Sequence, residues 1–293
     1  MMMMQSQVLD EFLNEHFIEV GAARVCYRKA GVGPPLVLLH GYPLYSRTWR
    51  KLLPQLSSRF TCYAFDLVGL GNSTSGDDED YSSQGEGKVI YNALSALGVT
   101  SYALLANDSG GWVAREVALL EPERVTRFVL TNTEIPSHRP PWVWFYQLLA
   151  KIPGGSYLFR LMLNSRAWRR STMGFGGGFQ NRDLIEGEFY KDYLAPLLAS
   201  HERIHRALKF LVSMKFRRVD EFKELHARLT MPVAFVWGSD DPTFPEESAR
   251  EMAAQFPNLV GFTSIPKGKL FMHEEFPETV VKPIVEYLTG VAS

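Results

Sequence analysis

The architecture of this chain turns on Tyr102-Ala-Leu-Leu-Ala-Asn-Asp-Ser-Gly-Gly-Trp-Val-Ala-Arg-Glu116. The apolar run from Tyr102 to Ala106 predicts a short buried strand. Asn107, Asp108 and Ser109 follow with no room for a loop, and Gly110 and Gly111 open a helix that runs to about Leu120. A side chain at the apex of so tight a strand-to-helix turn is pushed out of the fold, and small neighbours let the backbone pass close beneath it. The small residues here are Ala106, Gly110 and Gly111, which puts Asp108 at the apex. Ser109 takes that place only in a frame shifted by one, with Asn107 at a position that wants a small residue. An aspartate that merely caps the helix N-terminus is a third reading.

Elements on either side alternate between strand and helix. Gln5 to His16 reads as a helix, and Phe17–Val20 with Ala23–Arg28 as a hairpin turned at Gly21-Ala22. Leu36–Leu39 is an apolar strand that ends in His40-Gly41-Tyr42-Pro43. A helix is expected over Trp49–Leu56 and a strand over Phe60–Phe65, which runs into Asp66-Leu-Val-Gly-Leu-Gly-Asn-Ser73. That glycine turn lacks the Lys-Ser/Thr of a phosphate loop and the third glycine of a dinucleotide fingerprint. The acidic run Asp77–Asp80 reads as the solvated start of a helix reaching Leu97. Val125–Thr131 is a strand with Glu134 just past its tip.

From Pro136 to about Leu225 the alternation stops, and aromatic residues in helical patterns take over. Between Arg139 and Arg182 stand seven basic residues and no acidic one. This is either a solvated basic face or a surface that attracts an anionic substrate or membrane. Gly174-Phe-Gly-Gly-Gly178 is a hinge or a plain loop. The alternation resumes with strand Pro232–Trp237, the segment Gly238-Ser-Asp-Asp-Pro-Thr-Phe-Pro245, helix Glu246–Phe256, strand Leu259–Ile265 and a closing helix Glu274–Leu288.

At 293 residues, 46% hydrophobic and 22% charged, the chain suits one globular α/β unit with a large core. A net charge of −1 gives no global attraction to nucleic acid. The two cysteines, Cys26 and Cys62, each fall in a strand and read as buried reduced thiols, not a disulfide framework or metal site. No signal segment or membrane-spanning run is apparent, so cytoplasm is the default expectation.

Taken together, His40-Gly-Tyr-Pro43, Asp66-Leu-Val-Gly-Leu-Gly-Asn-Ser73, Asn107-Asp-Ser-Gly-Gly-Trp112 and Trp237-Gly-Ser-Asp-Asp-Pro242 resemble the α/β-hydrolase family over nearly the whole chain. The 102–116 stretch then corresponds to its nucleophile elbow. The branch it is most similar to has an aspartate nucleophile: haloalkane and haloacetate dehalogenases and epoxide hydrolases. Asn-Asp-Ser-Gly-Gly is also similar to a trypsin-like protease motif, but those domains are all-β. The resemblance implies a mostly parallel central sheet flanked by helices, with an inserted helical cap. The corresponding division is a core from 1–135 and 228–293 and a cap from 136–227.

In that branch a carboxylate attacks an sp³ carbon to form an ester. A histidine then activates water, and a second carboxylate orients the histidine. Carried over residue by residue, Asp108 is the nucleophile and Asp241 the orienting acid, with Glu134 as a second candidate acid. The N–H groups of Tyr42 and Ser109 form the oxyanion site. His40, Trp112, Trp144 and Tyr146 complete the substrate-binding candidates, although a structural role is preferred for His40. Tyr157, Tyr190 and Tyr193 are further tyrosines of the cap. The histidine is the departure: its place, four residues past Ile265-Pro266 and three before His273-Glu274-Glu275, is held by Leu270. The base is then either a displaced His273, a desolvated Lys269, or missing.

The function these features imply is a cofactor-free hydrolase acting on a small apolar epoxide or organohalide. Two alternatives stand beside it. One is a ligand-binding or non-hydrolytic protein on the same fold. The other is an esterase or lactonase using Ser109.

Overall fold

The computed structural model describes residues 2–76, 80–140 and 142–291, so Asp77–Glu79 of the acidic run lie outside the described residues. Among the described residues nine strands form one sheet: β1 (His16–Val20), β2 (Ala23–Ala30), β3 (Pro35–Leu39), β4 (Thr61–Phe65), β5 (Thr74–Ser75), β6 (Tyr102–Asn107), β7 (Val125–Thr131), β8 (Val233–Gly238) and β9 (Leu259–Ile265). Their spatial order is β1-β2-β4-β3-β6-β7-β8-β9, with β5 paired to β2. Strands β1, β2 and β5 are antiparallel to their neighbours, and β4, β3, β6, β7, β8 and β9 run parallel.

The central strands read as unbroken apolar runs because both faces of the sheet are covered. Val37, Leu39, Leu104, Ala106, Phe128 and Leu130 point to one side, where they meet helices Ser83–Ala96 and Ser109–Leu120. Leu36, Leu38, Ala103, Leu105 and Val129 point to the other side, against Trp49, Leu53 and helix Pro277–Thr289. Cys26 and Cys62 are buried free thiols, raised by burial.

Three predicted helices differ in extent. The first is Met2–Leu13 and stops before His16, which pairs with Tyr27 in the sheet. The second divides into a 3₁₀ turn, Ser46–Lys51, and a short helix, Leu53–Leu56. Pro54 has no N–H with which to continue the preceding turn. The last divides at Pro277 for the same reason, into Met272–Glu275 and Pro277–Thr289.

Between β7 and β8 the chain is helical. Helices Val143–Lys151, Gly155–Asn164, Arg166–Arg170, Ala195–Leu198, His201–Ser213 and Phe216–Leu225 are joined by short turns and one π-helical turn, Tyr190–Leu194. Gly174–Gly178 is a close-packed loop. The Phe175 N–H bonds Arg169 O, and Phe175 and Phe179 pack with Phe189 and Phe271.

Candidate active site

In this sheet, the strand order reverses between β3 and β6, and a crevice opens at their carboxyl ends. The register pairs Leu39 with Ala106, so Gly41 and Asp108, each two residues on, meet across the crevice. A Cβ on Gly41 would lie 2.4 Å from that of Asp108, and one on Gly110 would lie 2.3 Å from Leu39 O. Only glycine lets these backbones approach so closely. Asp108 itself has φ +49°, a region that disfavours side chains and marks a turn held by its surroundings. Its N–H bonds Asn132 O at 2.9 Å, and its carbonyl accepts from Gly111 N–H at 2.7 Å.

Asp108 Oδ2 accepts the Tyr42 N–H at 2.8 Å, and the Ser109 N–H, next along the chain, also favours the charged carboxylate. Burial pushes the Asp108 carboxyl well above its ordinary range. The charge of Glu134 adds to this, and the Tyr42 N–H opposes it. Burial also raises Glu134, against the pull of Arg115. Thr133 Oγ1 lies 2.8 Å from Asp108 O and 2.9 Å from Glu134 Oε2, and it accepts from Arg115 Nη2 at 3.2 Å. A hydroxyl has one proton to give. If it goes to the Asp108 carbonyl, a hydrogen bond to Glu134 needs a proton on the Glu134 carboxyl.

Asp108, Ser109, Trp112 and Glu134 open onto a cavity of about 130 Å³. Its walls are largely aromatic: Tyr42, Trp142, Tyr146, Phe159, Phe210 and Phe244 among them. A cavity of roughly 150 Å³ holds a benzene-sized molecule. Tyr42 Oη, Ser109 Oγ and Trp112 Nε1 are buried around it without a hydrogen-bond partner among the described residues. Leu270 lines it too, and its carbonyl accepts from Asn107 Nδ2 at 3.2 Å. The only ionisable acids and bases among the described lining residues, tyrosines apart, are Asp108 and Glu134.

The sequence-derived candidates are therefore only partly brought together. Asp241 is buried beyond the end of β8, its carboxylate bonded by Asn132 Nδ2 at 2.6 Å and Thr243 N–H at 2.8 Å. Burial pushes it up to about 6 against those bonds. His273 does not line the cavity. It stacks on Trp49, and Nε2 lies 2.7 Å from Thr48 Oγ1, beside the buried Arg50–Glu274 pair. This corrects the expectation of a displaced base, because the short helix Met272–Glu275 carries the imidazole to the opposite face of the sheet from the cavity aromatics. Burial lowers it to about 4.

Lys269 is also absent from the cavity wall, and its Nζ donates to Phe179 O. His40 is structural: Nδ1 donates to Gly41 O and Nε2 accepts Leu67 N–H, which leaves no nitrogen for a ligand. Trp144 is 64% exposed and faces away from the cavity, so Trp142, one position before the helix, takes the lining role assigned to it. Of the four tyrosines considered, Tyr146 alone lines the cavity, with its hydroxyl bonded to Met173 O. Tyr157 is exposed, and Tyr193 donates to Glu274.

Sequence reasoning missed Arg115, Asn132 and Thr133. Arg115 is fully buried and donates to the Glu134 carbonyl at 2.9 Å, with Phe222 under its guanidinium. A charge inside the apolar run Trp112–Leu120 was the available signal. Asn132, at φ +21°, ties Asp241 to β8 through Gly238 N–H. Thr133 and Asn132 carried no signal, since polar residues after a strand are ordinary.

A family model described as alpha/beta hydrolase fold matches residues 34–277. Haloalkane dehalogenase 2 of Mycobacterium bovis is 26% identical over 268 residues, covering 90% of this chain and 91% of that protein. Epoxide hydrolase 4 of Mus musculus is 22% identical over 292 residues, covering 94% and 76%. The solved structure of epoxide hydrolase CorEH without ligand superposes with a TM-score of 0.78 at 21% identity, over 94% of this chain and 99% of that one.

Proposed function

The chain belongs to the α/β-hydrolase-fold family, and on that footing we propose that it is a hydrolase in which Asp108 forms an ester with a small apolar alkyl halide or epoxide. One observation carries this reading. Asp108 stands at a strained apex with one carboxylate oxygen against the Tyr42 N–H, and it opens onto an aromatic cavity beside a second buried carboxyl. The helical segment 136–227 acts as the cap that closes that cavity.

The Tyr42 and Ser109 N–H groups favour the charged form of Asp108, and Arg115, the Thr133 hydroxyl and its own N–H favour that of Glu134. Two buried carboxyls that repel each other share one proton, and attack needs Asp108 charged. In the reacting state Asp108 is the carboxylate and Glu134 the carboxylic acid. Attack by Asp108 on an epoxide carbon breaks the carbon–oxygen bond, and the alkoxide takes the Glu134 proton. Glu134, now ionised, accepts a proton from water as the hydroxide adds to the ester carbon. The N–H groups of Tyr42 and Ser109 hold the oxyanion. Collapse releases the diol, whose departing oxygen takes the proton back, and the proton left on the Asp108 carboxyl passes to Glu134 to restore the pair. For an epoxide, Leu270 then needs no histidine in its place; an ester formed from an alkyl halide leaves Glu134 protonated and without a base for its hydrolysis.

Leu270 also favours a second reading, in which the ester forms and persists. Ser109 is the weaker nucleophile, since no histidine or lysine among the described residues lines its cavity. Intact mass spectrometry after incubation with short alkyl halides and epoxides, with product release followed in parallel, tests these readings. Turnover that Asp108→Asn abolishes supports hydrolysis. A persistent adduct mapped to Asp108 supports the second reading. An adduct or activity that survives Asp108→Asn overturns both.

A further inference from the structure

Helices Val143–Lys151 and Gly155–Asn164 pack on each other across the turn at Ile152–Gly154. Their inner faces supply Tyr146, Gln147, Phe159 and Leu163 to the cavity. Their outer faces are also apolar. Trp144 and Leu148 are exposed one turn apart on the first helix, and Tyr157, Leu158 and Leu161 on the second; Ile152 is exposed between them. Leu161 is 68% exposed and Tyr157 67%. A helix that is apolar on both faces, with one already buried, lacks a partner for the other.

Charge identifies that partner. Lys151, Arg160 and Arg166 lie on or just beyond these helices. Among the described residues none of the three forms an ion pair, whereas Arg139, Arg169 and Arg170 of the same basic stretch are matched by Asp220, Glu186 and Asp183. The 139–182 stretch has no acidic residue to offset them. A two-fold contact between copies of this face would set these cations against themselves. An anionic lipid surface instead accepts exposed tryptophan, tyrosine and leucine at the level of its headgroups and pairs its charge with lysine and arginine.

We infer that the outer face of helices Val143–Lys151 and Gly155–Asn164 docks on an anionic membrane surface. The association is peripheral, and it holds whatever chemistry Asp108 performs. It would place the cavity wall within one helix thickness of the bilayer, where apolar molecules concentrate.

The test is co-sedimentation of the full chain with phosphatidylcholine vesicles, with and without phosphatidylglycerol, at low and high salt. The chain is expected to sediment with the anionic vesicles at least tenfold more strongly than with the neutral ones, and salt should weaken the binding. Arg160→Gln combined with Arg166→Gln is expected to reduce it by roughly tenfold or more. Leu148→Ser combined with Leu161→Ser should do the same. All four positions face solvent or its edge, and unchanged thermal melting will confirm that the variants fold. Equal binding to both vesicle types, or none, overturns the inference. So does a dimer in sedimentation velocity that the leucine variant converts to monomer, because the face then belongs to a second copy.

Discussion

On the function proposed above, Leu270 stands where a proton carrier is expected, and the residues around it are held in place. Its carbonyl is held by Asn107, and Asp241 is fixed by Asn132 and Thr243. A Leu270→His variant is therefore expected to place an imidazole in the cavity wall and to raise the rate of ester hydrolysis by about 100-fold, the usual yield of a positioned general base. Single-turnover kinetics of adduct decay measure this. In the proposed mechanism Glu134 separates the two substrate classes. Halide leaves as an anion and needs no proton, whereas an epoxide oxygen does. Glu134→Gln should slow adduct formation from epoxides by roughly 100-fold and leave that from alkyl halides within a few-fold. Equal loss for both classes would mean that Glu134 positions Asp108 and transfers no proton.

The turn from β6 into helix Ser109–Leu120 depends on close approach as much as on chemistry. Gly110→Ala would drive a methyl group into Leu39 O, a backbone atom that cannot swing aside. Overpacking of this kind costs about 1–3 kcal/mol, which chemical denaturation would detect as a lowered midpoint. Such turns were legible in the sequence because their requirements are local: a strand, an apex and small residues within a few positions. The parallel strands were legible for the same reason. The rotation of short helices was not. Whether His273 faces the cavity depends on Thr48 and Arg50, more than 200 positions away, which anchor Glu274 beside it. Trp142 and Trp144 differ by two positions, which on a helix is the difference between inside and outside. The phase was set by contacts with the core that no local pattern records. Arg115 and Thr133 became visible only when the ends of β6 and β7 were set side by side.

For the whole molecule, the buried histidines work against stability in acid. His226 is held down at about 3 and His273 at about 4 by burial, and His40 is also lowered. An unfolded chain binds protons at these sites near pH 6.5, where the folded chain does not. Their contribution is thus fully present above pH 6.5 and is lost as pH falls toward 4 and 3. Asp241, Asp108 and Glu134 run the other way: burial raises each of them, which favours the folded state at low pH, and for Asp241 that contribution is lost as pH rises through about 6. The two sets oppose each other between pH 7 and pH 5, so the part of one histidine is read by removing it. His273→Met, which keeps bulk against Trp49, should raise stability at pH 5 relative to pH 7 by on the order of 2 kcal/mol compared with the unsubstituted chain. A slope unchanged in this variant would mean that His273 titrates normally in the folded state.

Strands β7 and β8 lie side by side, in register from Phe128–Val233 to Thr131–Val236, and the whole helical excursion leaves from one and returns to the other. Tyr42, Asp108, Ser109 and Glu134 all sit outside that excursion, while Tyr146, Phe159 and Phe210 sit within it. A lineage can therefore lengthen, trim or exchange the excursion at a single seam without disturbing a strand. The choice of guest can then change while the residues around Asp108 stay where the strands put them.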